Sequence, residues 1–290
     1  MSMVVDEKGQ PIEPSEVVPP LTERQAEQAE SRTSVTALVV HEVIRKDGEE
    51  ELRRPVSALA WSGLAAGLSM GFSFLTEALF RTSLPDTPWR TLITNLGYPV
   101  GFLIVIIGRQ QLFTENTLTA IIPLLARRSL SILRSVLKLW AVVLIANLAG
   151  AHIFAWVVSR TPLMHPKIRE AMKQIAMAAA DVSPGSAILR GIFAGWLIAR
   201  VVWMLAATDS SRVTIIVILT YIVGLANLTH VVVGSVEVLY LVMLGVKSWL
   251  SFLTGYTLPT LLGNIIGGVS LVSALNHAQV IAGQNYSKTK

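Results

Sequence analysis

The chain has 290 residues, 52% of them hydrophobic and 15% charged, with a formal net charge of +5 and no cysteine. Soluble domains carry about 25% charged residues, so the deficit argues for membrane spans, and the missing thiols exclude disulfides, thiolate catalysis and Cys-ligated zinc. The basic residues are scattered among apolar runs, which reads as membrane-flank charge and not as a nucleic-acid surface.

Residues 1 to about 33 are rich in Glu, Gln, Pro and Ser and read as disordered. No short apolar run opens the chain, so no secretory signal is expected. Residues 34–53 read as an amphipathic helix with Val35, Leu38, Val39 and Val43 on one face. Such a face suits the membrane surface or a neighbouring subunit. Six apolar spans follow, at about 56–80, 91–126, 136–159, 186–207, 213–245 and 252–280. Each is judged against the roughly 20 residues that cross a bilayer. The second and fifth are overlong and interrupted, near 112–116 and near 227–230. In the loop at 161–184, Ile168, Ala171, Met172, Ile175 and Met177 predict a short interfacial helix. The expected organisation is a cytoplasmic tail over 1–53, a six-span domain over 54–283 and a cytoplasmic tail over 284–290.

The two halves repeat each other. Ala146-Asn147-Leu148-Ala149-Gly150-Ala151 matches Gly263-Asn264-Ile265-Ile266-Gly267-Gly268. Each string lies at nearly the same distance beyond a polar interruption, which pairs Thr114 with His230 as counterparts. An odd number of spans per half requires opposite orientations, the geometry of an inverted repeat with its site near the bilayer midplane. Small residues face the neighbouring helices, Ala66-Gly67 and Ala194-Gly195 at matching places. Arg45, Lys46, Arg53, Arg54, Arg127, Arg128 and Arg134 bias one side toward the cytoplasm, and both termini with it.

His230 lies in a run with no charged residue. It reads either as a core histidine bonded to Thr or Asn, or as a proton donor poised near neutral pH. Asn227, Thr229, Thr114 and Asn116 satisfy backbone groups freed by the helix breaks, line a pathway, or do both. Asn147 and Asn264 read as ties that hold the broken segments. Arg109, Glu115, Arg200 and Glu237 are expected to pair within the membrane, away from the pathway. Neither a His-Glu-x-x-His string nor a Gly-x-Ser-x-Gly elbow is present.

Leu112-Phe113-Thr114-x-Asn116, the lone histidine of the broken fifth span and the string Pro259-Thr260-Leu261-Leu262-Gly263-Asn264-Ile265-Ile266-Gly267-Gly268 resemble the formate/nitrite transporter family, as does Leu189-Arg190-Gly191-Ile192. The resemblance covers about residues 40–280. It implies an all-α, aquaporin-like membrane protein of six spans in two inverted three-helix repeats. It also implies a pentamer in the inner membrane, each protomer with its own pore for a small monovalent anion, often moved with a proton. By resemblance Leu112, Phe113 and Thr114 form the loop in the second span and His230 is the central histidine. Tyr98, Phe102 and Val223 fall at the apolar constrictions. The resemblance implies no cofactor, no metal and no enzymatic activity; lipid, a small solute and further copies of the chain are the partners. Three positions depart from the family pattern: Gln111 and Thr229 stand where acids are common, and Ala179 aligns near an anion-attracting lysine. The expected function is a channel or transporter for a small monovalent anion or its neutral acid, proton-linked through His230. A neutral-solute or cation pathway and a non-transporting membrane scaffold are the alternatives.

Overall fold

The computed structural model describes Thr22 and residues 35–208 and 210–288. The expected disorder before residue 34 lies outside these, Thr22 apart, as does the end of the 284–290 tail. Residues from Ala37 onward form one compact unit. Its regular elements are all helical among the described residues. Helix α1 is Ala37–Arg53 and α2 is Val56–Ser83; Pro55 between them has no amide hydrogen with which to continue α1. Helix α3 is Arg90–Ile107, followed by the short α4, Asn116–Thr119, and α5, Ile121–Arg127. Helix α6 is Leu130–Arg160, begun by Ser129, whose side chain accepts from the amide of Ser131. Helix α7, Pro166–Ala180, occupies the long loop. Helix α8 is Pro184–Leu205, with Ser183 as its cap and Pro184 in its first turn. Helices α9, Arg212–Leu225, and α10, Val233–Met243, precede the last long helix, α11, Ser251–Ala282.

Five of these, α2, α3, α6, α8 and α11, are long and apolar enough to cross a membrane; α9 and α10 are shorter and apolar. The two overlong segments are broken where the polar interruptions stand. Both breaks begin the same way. Arg109 and Asn227 take left-handed φ angles of 52° and 49°. The Gln110 amide donates to the Val105 carbonyl at 2.9 Å, and the Leu228 amide to the Val223 carbonyl at 3.0 Å. Arg109 and Asn227 donate one turn back, to Ile106 and Gly224. This is the Schellman ending, made twice with a residue other than glycine.

Helix α2 packs along α6 and α8 along α11, and small residues set how close they come. A Cβ on Gly67 would strike the carbonyl of Asn147, and one on Gly195 the carbonyl of Asn264. Helix α11 carries two π-helical stretches, Ser251–Thr257 and Gly267–Ala274. The second opens the helix where Gly268 meets the Thr117 side chain.

Helix α1 docks by a different face from the one its pattern suggests. Val40, His41, Ile44 and Gly48 are buried, whereas Val35, Leu38, Val39 and Val43 are 38–49% exposed. Gly48 lies against the Thr119 carbonyl, and Val40 and Ile44 join a cluster with Leu118, Ile122 and Trp203. The apolar stripe of the pattern is therefore left on the surface of the single chain. His41 Nε2 lies 2.9 Å from His277 Nδ1 of α11. Burial, and then the neighbouring His277, hold the His41 imidazole below its ordinary pKa.

Candidate functional site

Each broken segment is tied down by one asparagine. Asn147 Nδ2 donates to the carbonyls of Gly63 at 2.8 Å and Gln111 at 2.9 Å, and its Oδ1 accepts from the Phe113 amide at 2.9 Å. Asn264 Nδ2 donates to the carbonyls of Gly191 and Thr229, both at 2.9 Å, and its Oδ1 accepts from the Val231 amide at 2.9 Å. Both asparagines are fully buried. The two bond sets match residue for residue, so Gln111 corresponds to Thr229, Leu112 to His230, Phe113 to Val231 and Thr114 to Val232. The pairing of Thr114 with His230 as repeat counterparts is thus corrected by two residues. The sequence pattern aligned polar side chains, but His230 and Thr114 each correspond to an apolar residue in the other half, Leu112 and Val232.

Thr114 and His230 meet nonetheless, across the halves. Thr114 Oγ1 lies 2.8 Å from His230 Nε2, with Thr114 fully buried and His230 1% exposed. The amides of Val232 and Val233 both donate to His230 Nδ1 at 3.3 Å. An accepting ring nitrogen bears no proton, so this arrangement suits a neutral imidazole with its hydrogen on Nε2. Nε2–H then donates to Thr114, which leaves the threonine hydroxyl hydrogen free for a third partner. The Phe102 ring stands edge-on to the imidazole at 5.1 Å, and Tyr98 packs on Phe102 at 5.6 Å.

A vestibule approaches this centre from each end of the bundle. The first, of about 260 Å³, is lined by Tyr98, Val223, Asn227, Thr229 and His230, and also by Glu77, Arg81, Arg190, Glu237 and Tyr256. The second, of about 400 Å³, is lined by Gln111 and Asn116 together with Asp47, Glu50, Glu51, Arg109, Glu115 and Arg212. Phe102, Leu112, Phe113 and Thr114 line neither and are at most 1% exposed. Helix α3 begins at the first vestibule and ends at the second; α9 does the reverse. Helices α2 and α8 are opposed in the same way, so the halves are inverted.

The expected site residues thus gather in three places. Tyr98, Val223, Asn227, Thr229 and His230 face the first vestibule and Asn116 the second, while Phe102, Leu112 and Thr114 fill the ground between. The Phe113 ring packs against Trp140 at 5.6 Å. Thr229 spends its hydroxyl on the Ala187 carbonyl at 2.7 Å. The expected intramembrane ion pairs are absent: among the described residues no ion pair joins Arg109, Glu115, Arg200 or Glu237. Arg109 and Glu115 instead line the second vestibule and Glu237 the first. Glu77 and Tyr256 were not singled out by the sequence reading. A lone acid within the 28-residue apolar α2 is the signal that points to Glu77.

The formate/nitrite transporter family profile matches residues 38–278. The inner membrane protein YfdC of Escherichia coli is 43% identical over 87% of this chain and 81% of its own length. The formate channel BtFdhC of Bacillus thuringiensis is 23% identical over 80% of this chain and 91% of its own. Among solved structures, a pentameric formate channel with formate bound superposes with a TM-score of 0.64 at 19% identity, covering 82% of this chain and 99% of that one. An FNT family ion channel superposes at 0.69 with 18% identity, covering 81% and 96%.

Proposed function

The chain is a member of the formate/nitrite transporter family, and from that premise we propose that each protomer conducts a small monovalent anion, or its neutral acid, between the two vestibules through the contact of Thr114 with His230. That 2.8 Å contact is the observation that carries the reading. It joins the two broken segments at the inner end of the first vestibule, which His230 lines and Thr114 does not, and its free hydroxyl hydrogen is a donor to a solute oxygen or nitrogen. Phe102, Leu112, Tyr98 and Val223 are the apolar constriction. A bare charge crossing it costs several kcal/mol, which favours passage as the neutral acid.

His230 is the proton carrier of this proposal, under one condition. The ring gives up its Nε2 proton only after a second proton reaches Nδ1 and displaces the two amide bonds. The Nε2 proton then passes to Thr114 as the hydroxyl proton passes to the anion, so charge and atoms balance. Flux therefore rises with acidity. Asn147 and Asn264 hold the segments in place. The assembly is a pentamer in the inner membrane, with the uncovered apolar stripe of α1 against lipid or a neighbouring protomer, and both termini in the cytoplasm. Single cysteines replacing Ser131 and Ser183 test the orientation, and are expected to label from the cytoplasm and from the outside respectively.

Reconstituted protein tested with formate, nitrite, hydrosulfide, acetate and uncharged solutes over a range of pH decides the function. Flux of one or more small anions, faster at acid pH, is expected. Flux of uncharged solutes alone, or of none, would refute the anion reading.

A further inference from the structure

We propose that the second vestibule binds a planar monoanion with two oxygen atoms, a carboxylate or nitrite, at the guanidinium of Arg109 and the side-chain amide of Gln111. Both line the 400 Å³ cavity, on the stretch between α3 and Leu112 of the constriction. The left-handed φ of Arg109, 52°, suits glycine, and any side chain there is strained. Its repeat counterpart is Asn227, a residue that tolerates the conformation; arginine gains nothing from its backbone at this place. Asp47, Glu50, Glu51 and Glu115 line the same cavity. Yet among the described residues the Arg109 side chain makes no ion pair and no hydrogen bond. Glu51 is taken by Arg54 at 2.9 Å, and the other arginine of the cavity, Arg212, donates to the Leu205 carbonyl at 3.4 Å. A strained residue that brings an unused guanidinium to a cavity points to a ligand there.

Gln111 is an independent observation. It is 8% exposed. Asn116 Nδ2 donates to the Leu112 carbonyl at 3.1 Å and to the Gln111 side chain at 3.0 Å. A carbonyl only accepts, so the Asn116 atom is the amide nitrogen, and the Gln111 atom that meets it is Oε1. This fixes which way round the Gln111 amide lies and leaves its Nε2 without a partner. That nitrogen is not among the polar atoms sealed from solvent. Arg109 and Gln111 therefore have only N–H donors left to give, which select an anion. The parallel N–H pair of a guanidinium matches two oxygens of one plane better than a spherical ion. Asp47 and Glu50 are exposed on α1. Glu115, half-buried and in no ion pair, opposes the anion and keeps its affinity low, as release toward a pathway requires. The consequence for transport rests on the pathway reading: Gln111 stands three residues before Thr114. The site itself does not depend on that reading.

The test reads two quantities. One is the thermal unfolding midpoint of the purified oligomer as formate or nitrite replaces chloride at fixed pH and ionic strength; the other is formate and nitrite influx into proteoliposomes against concentration. The midpoint of the unaltered protein is expected to rise with either anion. In Arg109→Gly the half-saturating concentration is expected to rise at least about tenfold in both readouts, although this variant relieves the backbone and is no less stable without the anion. Gln111→Glu keeps the oxygen that Asn116 needs and loses the N–H donors, so a similar rise is expected with the fold retained. Arg109→Lys keeps the charge without the paired donors and is expected to lose the preference for formate over chloride. No response of the midpoint in the unaltered protein would overturn the proposal, as would an unmoved half-saturating concentration in Arg109→Gly. If Gln111→Glu does not fold, Arg109→Gly still decides. A midpoint response that Arg109→Gly removes, without anion flux, keeps the site and removes the anion pathway; flux whose half-saturation Arg109→Gly leaves unmoved does the opposite.

Discussion

The two broken segments have one scaffold and two chemistries. Each starts from a helix closed by a left-handed residue, Arg109 or Asn227, and each is held by three bonds to a buried asparagine. Along them the side chains differ at every matched place: Gln111 against Thr229, Leu112 against His230, Phe113 against Val231, Thr114 against Val232. The backbone repeat positions both segments, and the unequal side chains give the centre one imidazole and one hydroxyl that fit each other.

If the scaffold is truly shared, damage to it is symmetric. Asn147→Ala and Asn264→Ala each strand one carbonyl and one amide of a buried loop, and cut the loop's tie to a helix carbonyl at Gly63 or Gly191. Each unsatisfied group costs about 1–3 kcal/mol, so both variants are expected to lose several kcal/mol, read as loss of folded oligomer on gel filtration. Full tolerance of one alone would break the comparison. Gly67→Ala and Gly195→Ala come next. Each new methyl meets a backbone carbonyl, and overpacking costs about 1–3 kcal/mol, read as matched drops in the unfolding midpoint.

Side-chain changes are expected to be asymmetric. Thr114→Val makes the first segment resemble the second at Val232. It keeps volume but removes a hydrogen bond of about 1 kcal/mol, so roughly five- to tenfold lower flux is expected with normal assembly. The smallest effect is at the helix ends. Arg109→Gly relieves a left-handed arginine and is expected to stabilise by up to about 1 kcal/mol. Asn227→Gly is expected to gain nothing, because asparagine already tolerates that conformation. Equal gains would show that backbone strain is the same in both halves.

Much of the fold was readable because lipid leaves few options. Long apolar runs became helices, and polar residues inside them marked both breaks. The asparagines stood out because each sits in a glycine-rich string that recurs. The register between the halves was misread for a physical reason: Thr114 and His230 look alike as polar interruptions, but hydrogen bonding to Asn147 and Asn264 fixes the match at Leu112 and His230. The docked face of α1 was missed because its most apolar stripe is not the one that Gly48 allows to approach Thr119. The absent ion pairs could not be anticipated, since whether Arg109 and Glu237 reach partners depends on which vestibule each faces.

The central claim is that the contact between Thr114 and His230 lies on the conduction pathway. Its most direct test is anion flux in proteoliposomes against pH, comparing the unaltered protein with His230→Asn. Asparagine can still bond to Thr114 but cannot carry a proton, so intact assembly with flux that is lower and flat across pH is predicted. Unchanged flux with an unchanged pH profile would contradict the account.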